Sequence, residues 1–288
     1  MAGTVVQRLA ALHLVMPLMG LLSAGCQPRR SGVPELRIIA YDFGYQMPSH
    51  VPAGLVRVTL RNVGHDLHEA TIARFTNDRG TAALYRDSIR AGVDFPSFAE
   101  DVGGVRLTMP GDSGGVWLRL RPGHYIVACW KGDHLSRGMV HDLFVDPPDA
   151  PRVDPPAASG EIVLTDYAYT ISDTLRAGEQ VIHVTNRGRE EHEADIVRLS
   201  SPAALAEYMA WMDSAQVGLP PAMPVGGVGD LLPGAEAWMQ LRLEPGRYAL
   251  LCQVPSTSHG GRPHYKLGMV HEFVVADRGR LSSDQRTN

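Results

Sequence analysis

The chain repeats itself. Glu35-Leu36-Arg37-Ile38-Ile39-Ala40-Tyr41-Asp42-Phe43 is echoed by Glu161-Ile162-Val163-Leu164-Thr165-Asp166-Tyr167-Ala168-Tyr169, and Arg121-Pro122-Gly123-His124-Tyr125 by Glu244-Pro245-Gly246-Arg247-Tyr248. Val102-Gly103-Gly104-Val105 returns as Val225-Gly226-Gly227-Val228. Past the first strand, matching positions lie 123 or 124 residues apart as far as a cysteine in each copy, Cys129 and Cys252, and 130 apart beyond it. One folding unit is therefore expected twice, over residues 35–146 and 161–276. Between them, Pro147, Pro148, Pro151, Pro155 and Pro156 make residues 147–160 a semi-rigid linker, and a polar tail follows at 277–288.

The unit is built of strands. Val56, Val58 and Leu60 alternate with Arg57, Thr59 and Arg61, the period of a strand with one buried face. Leu118 and Leu120 alternate with Arg119 and Arg121, and Leu241 and Leu243 with Arg242 and Glu244. Pro-Gly at 122–123 and 245–246 marks a turn before the strand that leads into each cysteine. One helix per half is expected. Ser201-Pro202 reads as an N-cap with proline at the first helical position, ahead of Leu205, Tyr208, Met209 and Met212 at helical spacing. Its counterpart runs from about Thr81 to Arg90. Roughly 115 residues of short strands with a short helical insertion suit a Greek-key β-sandwich, so the fold class is all-β, two sandwiches in tandem.

Each half also carries one set of potential metal ligands. His68, Cys129, His134 and Met139 form the first set; His192, Cys252, His264 and Met269 form the second. The first histidine closes an Asn-x-Gly-x-x-x-His run in both copies, at Asn62–His68 and Asn186–His192. The last two ligands sit in His-x-x-x-x-Met-Val-His, at 134–141 and 264–271. Two imidazoles, a thiolate and a weak axial thioether are the donors of a blue-copper centre. Copper is thus the expected cofactor, one ion per half. In the second half eleven residues separate Cys252 from His264, against four between Cys129 and His134. His264 keeps the spacing to Met269; His259 in the same loop is the rival imidazole. Met139 and Met269 could also be core fillers, and Cys129 with Cys252 a disulfide, although equivalent places in two separate sandwiches speak against a bridge. His50, His65, His124 and His183 read as structural or solvated, while His141 and His271 have no assigned role.

On these residues both halves resemble cupredoxins, small copper proteins in which an early loop supplies one histidine and a late loop supplies Cys, His and Met. The resemblance implies a one-electron carrier, with copper storage or transfer as the alternative and a copper-free contact module as a third reading. Glu69 and Glu193 depart from it, standing where many cupredoxins have Asn; an ionised carboxylate there would favour the more positive metal state and alter the hydrogen bonds that orient ligands. Two-domain copper nitrite reductases and small laccases add a catalytic copper through His-x-His pairs, and no His-x-His occurs in this chain. The expectation is therefore not an enzyme, with a redox partner protein or a copper donor or acceptor as its counterpart.

At the N-terminus, an apolar stretch over residues 9–25 follows Arg8, the layout of a signal peptide over 1–25. Leu22-Ser23-Ala24-Gly25-Cys26 resembles a bacterial lipobox, with Ser23 where leucine is usual. Acylation of Cys26 would tie the chain to a membrane through a 26–34 tether and place it in the cell envelope. The alternative is an ordinary cleaved signal with an incidental cysteine. A net charge of -4 and the lack of a Lys/Arg-rich block argue against nucleic acid.

Overall fold

The computed structural model describes residues 32–149, 151–172 and 175–276, with Met1 and Gly3. The rest of the expected signal, Cys26, the start of the tether and the polar tail lie outside the described residues. In the first half the strands are β1 (Glu35–Tyr41), β2 (Gly44–Gln46), β3 (His50–Pro52), β4 (Gly54–Asn62) and β5 (His68–Phe75). Helix α1 (Ala82–Arg90) precedes β6 (Ala99–Thr108), β7 (Ser113–Leu120) and β8 (Gly123–Ala128). A single turn, α2 (His134–Arg137), then leads to β9 (Val140–Asp146). The second half repeats the plan with β10 (Gly160–Thr165), β11 (Ala168–Ile171), β12 (Gly178–Asn186) and β13 (His192–Leu199). Helix α3 (Ala204–Met212) is followed by β14 (Met223–Leu231), β15 (Glu236–Leu243), β16 (Gly246–Leu251), a 3-10 turn at His264–Leu267, and β17 (Val270–Val275).

Alternation in the strands becomes burial. Val56, Val58 and Leu60 are fully buried, and Leu118, Leu120, Leu241 and Leu243 nearly so. After each Pro-Gly turn a tyrosine locks the corner: Tyr125 Oη donates to the Arg121 carbonyl at 2.7 Å, and Tyr248 Oη to that of Glu244 at 2.8 Å.

The two sandwiches join edge to edge. One sheet runs β11-β10-β12-β15-β7-β4-β1-β2 and the other β17-β16-β13-β14-β6-β5-β8-β9-β3, so each sheet crosses both halves. The junctions are antiparallel, β15 on β7 and β14 on β6. Val116 pairs with Met239 and Val105 with Val228, each with its own counterpart in the repeat, so a local two-fold runs through both junctions. Buried side chains of both halves and both sheets form one continuous cluster, from Leu36 to Val275.

Two expectations need correction. Helix α3 starts at Ala204 with no side-chain cap, and Ser201-Pro202 instead forms the turn before it, the Ala204 amide donating to the Ser201 carbonyl at 3.2 Å. A tight turn closed three residues on leaves the Ser201 side chain outside the capping position. By contrast, Thr81 caps α1, its hydroxyl accepting from the Leu84 amide at 3.1 Å. The first-strand match is also displaced by two residues. Tyr41 pairs with Gly44 and Thr165 with Ala168, so Tyr41 corresponds to Thr165, and Asp42 to Asp166 rather than to Ala168.

Candidate metal centres

The Asn-x-Gly run explains how the first histidine is placed. Asn62 is fully buried; its Oδ1 accepts from the Gly64 amide at 2.9 Å, and its Nδ2 donates to the carbonyls of Asp66 and Thr108 at 2.8 and 2.9 Å. Asn186 makes the same three bonds, to Gly188, Glu190 and Leu231. The glycine is sterically required. A Cβ at Gly64 would lie 2.5 Å from Asp42 Oδ1 and 2.7 Å from His68 Nε2, and at Gly188 2.5 Å from both Asp166 Oδ1 and His192 Nε2.

Those pairs hold the ligand rings. Asp42 Oδ1 stands 3.2 Å from His68 Nε2, and Asp166 Oδ1 3.1 Å from His192 Nε2. On the late loop, Asp66 Oδ2 stands 3.3 Å from His134 Nε2, and Glu190 Oε2 2.8 Å from His264 Nε2. A carboxylate on Nε2 keeps the proton there and leaves the Nδ1 lone pair free for a metal. The turn carrying Asp42 does a second task. Phe43 and Tyr167 hold positive φ (64° and 66°), unusual for large side chains, and each sets its ring edge against a ligand histidine, with centroids 5.2 Å from His134 and from His264.

The donors converge. His68, Cys129 and His134 present ligand atoms within 4.8 Å of one another, as do His192, Cys252 and His264. Cys129 Sγ lies 3.5 Å from His134 Nδ1, Cys252 Sγ 3.4 Å from His264 Nδ1, and His192 Nδ1 3.0 Å from His264 Nδ1. A metal bonded at about 2.0 Å to nitrogen and 2.3 Å to sulfur spreads donors in a plane to roughly 3.5–3.7 Å, close to the Cys–His separations in both groups. His68 Nδ1 is buried with no hydrogen-bond partner, a cost that a metal would remove. The residues fit a thiolate- and imidazole-bound copper ion, one per half.

Met139 and Met269 are fully buried in the same cluster as the cysteines. Each closes its loop through the backbone, its amide donating to the preceding histidine carbonyl at 2.9 and 3.0 Å; the Cys129 amide also donates to the Met139 carbonyl at 3.1 Å. His259 is exposed and outside the second group, bonded to Tyr167 Oη at 2.9 Å. His141 Nδ1 turns to the Asp142 carbonyl at 2.7 Å, and His271 lies on the exposed face of β17. His50, His65, His124 and His183 each meet a carboxylate. Cys129 and Cys252 are both free thiols.

Electrostatics distinguishes the two centres. Burial lowers all four ligand histidines, so their rings are neutral near pH 7. Burial, with the Glu69 charge adding to it, raises the Cys129 thiol to about 12, and burial drives Cys252 up as well. In the first centre the nearly buried Lys131 sits 3.1 Å from Asp66, which is in turn 3.3 Å from His134. The second half has Val254 in that place. There the long loop supplies the partners, Ser256, Thr257 and Ser258 giving Glu190 three hydroxyls and the Ser258 amide. The extra residues therefore enclose the centre instead of opening it: the Glu190 side chain is 9% exposed, against 38% for Asp66. A nearby cation favours the reduced, less positive metal. Lys131→Met is expected to lower the reduction potential of the first centre by on the order of 50 mV, about 1 kcal/mol for a one-electron couple. Voltammetry on the copper-loaded protein reads this, and an unmoved potential would refute it.

Glu69 and Glu193 are not bare carboxylates. Glu69 Oε1 accepts from the Trp130 amide at 2.8 Å and Glu193 Oε1 from the Gln253 amide at 2.6 Å, the residues after each cysteine. Their other oxygens ion-pair with Arg106, so the expected pull on the metal is offset by a guanidinium.

A third group, Asp101, Glu191 and Asp230, gathers at the β6–β14 junction, with Asp101 Oδ1 and Glu191 Oε1 sealed from solvent without partners. Burial, then the charges of Asp230 and Glu191, drives Asp101 well above the usual carboxylate range. A folded-state value above the unfolded one adds stability at low pH that is lost as pH rises through the folded value. Asp101→Asn is therefore expected to raise the melting temperature more at pH 8 than at pH 5. An equal shift at both would refute it; the size is ~1–2 kcal/mol at the alkaline end.

No family model and no curated protein matches the chain. Among solved structures it is similar to the dithionite-reduced auracyanin of Roseiflexus castenholzii, at 23% identity over 40% of this chain and all of that one, with a TM-score of 0.31. It is similar to auracyanin A of Chloroflexus aurantiacus, a "blue" copper protein, at 16% identity over 40% of this chain and all of that one (TM-score 0.30). It is also similar to the copper-containing nitrite reductase of Thermus scotoductus, at 13% identity over 85% of this chain and 61% of that one (TM-score 0.23). Likenesses this distant bear on neither activity nor partner, and the two centres stand on the chain's own residues.

Proposed function

We propose that the chain is a one-electron carrier that holds copper at His68, Cys129, His134 and Met139 and again at His192, Cys252, His264 and Met269. One observation carries the reading: each half gathers a buried thiol and two neutral imidazoles whose outer nitrogens are already held by carboxylates. Copper in such a donor set cycles between its two oxidation states with little change of geometry. Asp42, Asp66, Asp166 and Glu190 fix the rings before the metal arrives, which lowers the reorganisation that accompanies gain or loss of an electron. Phe43 and Tyr167 cover one histidine ring in each centre, and the single core excludes water from the sulfur.

Its counterpart is a redox partner protein, or a copper donor or acceptor. We place the chain in the bacterial cell envelope, held by lipid on Cys26; among the described residues no helix is long and apolar enough to cross a membrane. Cys26→Ala should release the protein from the membrane fraction, and unchanged retention would remove the anchor.

The reading is tested by absorption and spin-resonance spectra of the copper-loaded chain. Two copper ions, an intense visible thiolate band and reversible one-electron waves are expected. A colourless, redox-silent protein would point to storage or transfer, and more than two coppers per chain to an enzyme.

A further inference from the structure

Among the described residues, one guanidinium serves the buried acids on the two-fold between the halves. Val105 and Val228 face each other on that axis, so the next residue along β6, Arg106, corresponds to Gly229. A Cβ at Gly229 would lie 3.4 Å from Arg106 Cδ, and one at Gly227 3.0 Å from Arg106 Cβ. At Gly227 a side chain would also meet the Ala194 carbonyl at 2.5 Å, so the backbone opposite Arg106 is held bare on that side. Arg106 crosses the axis and meets acids of both halves: Nη1 lies 2.6 Å from Glu69 Oε2, Nε 3.1 Å from Glu193 Oε2, and Nε and Nη2 bond Asp195 at 3.2 and 3.1 Å. The contacts to Asp195 are aligned hydrogen bonds; those to the two glutamates are ion pairs. Arg106 and both glutamates are buried.

Each glutamate lies between a ligand histidine and a ligand cysteine. Glu69 follows His68 and takes the amide of Trp130, next to Cys129; Glu193 follows His192 and takes the amide of Gln253, next to Cys252. The Gln253 side chain further donates to Asp195 at 2.9 Å. A continuous series of hydrogen bonds and ion pairs thus runs from the Cys129 loop through Arg106 to the Cys252 loop. We propose that Arg106 is a positioning residue shared by the two centres, so that a change beside one is felt at the other. Away from water a guanidinium follows its counter-charges closely, because no solvent replaces a lost partner. If Glu193 no longer engages Arg106, the guanidinium moves its weight toward Glu69 and changes the bond to Trp130. The inference rests on the copper reading for its functional meaning, but the tie itself exists without metal.

The test uses the full chain. Glu193→Gln removes one of three acids from Arg106 and keeps the other two, and amide hydrogen exchange is read on the metal-free protein. The Trp130 amide, in the other half, is expected to change its exchange by at least about threefold, while the Val58 amide in β4 stays as in the parent. In Arg106→Lys, which keeps the charge and loses the fork, the Trp130 and Gln253 amides should shift together. An unmoved Trp130 amide in Glu193→Gln, or an equal change at Val58, overturns the proposal, the latter by reducing it to general stability. Should Arg106→Lys not fold, Glu193→Gln decides alone. With copper bound, Glu193→Gln should shift the visible or spin-resonance signal of the first centre. A failure to bind copper would strike the functional reading and leave the exchange result standing.

Discussion

Replacing Cys129 by serine is expected to erase the visible band of the first centre and leave that of the second, with Cys252→Ser doing the reverse. Each thiol is fully buried between two imidazoles and belongs to one centre only. Loss of an outer-shell partner alone costs roughly 10–100-fold in metal affinity, so loss of the thiolate should cost more than about 100-fold at that centre. The fold should tolerate the change, since the serine hydroxyl can donate to the Nδ1 that already stands 3.5 Å from Cys129 Sγ or 3.4 Å from Cys252 Sγ. Copper counting with the spectrum gives the result: one copper and one band per single variant, none in the double. Two coppers retained in Cys129→Ser would show that the sulfur does not hold the metal.

Copper uptake should also depend steeply on pH. Burial pushes the free Cys129 thiol up to about 12 and raises Cys252 as well, so each binds metal only by giving up a proton. Apparent affinity should rise about tenfold per pH unit through neutrality, or roughly 100-fold between pH 6.5 and 8.5, with one proton released per copper. Burial lowers all four ligand histidines, so the thiols dominate the proton release. Competition titrations against a chelator at several pH values measure the slope. A flat profile would mean that the thiols are already ionised, and would contradict the burial that raises them.

Much of this was legible in the residues. Alternation at Val56, Val58 and Leu60 announced a strand, and duplication turned eight scattered residues into two matching ligand sets. Asp42 and Asp166 could have been found in the same way, since an Asp followed by an aromatic recurs at 42–43 and 166–167. They were hidden because an acid in a turn is common and its target lies 26 residues away. Arg106 left no signal, its counterpart being Gly229.

The chain alone determined the repeat, the all-β character and the chemical identity of the donors, because these follow from local period and from the order of side chains. Tertiary structure decided which carboxylates hold the rings, how the long second loop encloses Glu190, and that the halves share both sheets. It also set the register between the first strands of the two halves. A pattern of period two matches itself when slid by two residues, so alternation cannot tell Tyr41 equivalent to Thr165 from Tyr41 equivalent to Tyr167. Contact between Asp42 and His68, and between Asp166 and His192, distinguishes them, and such contacts form only when the sheets close on each other.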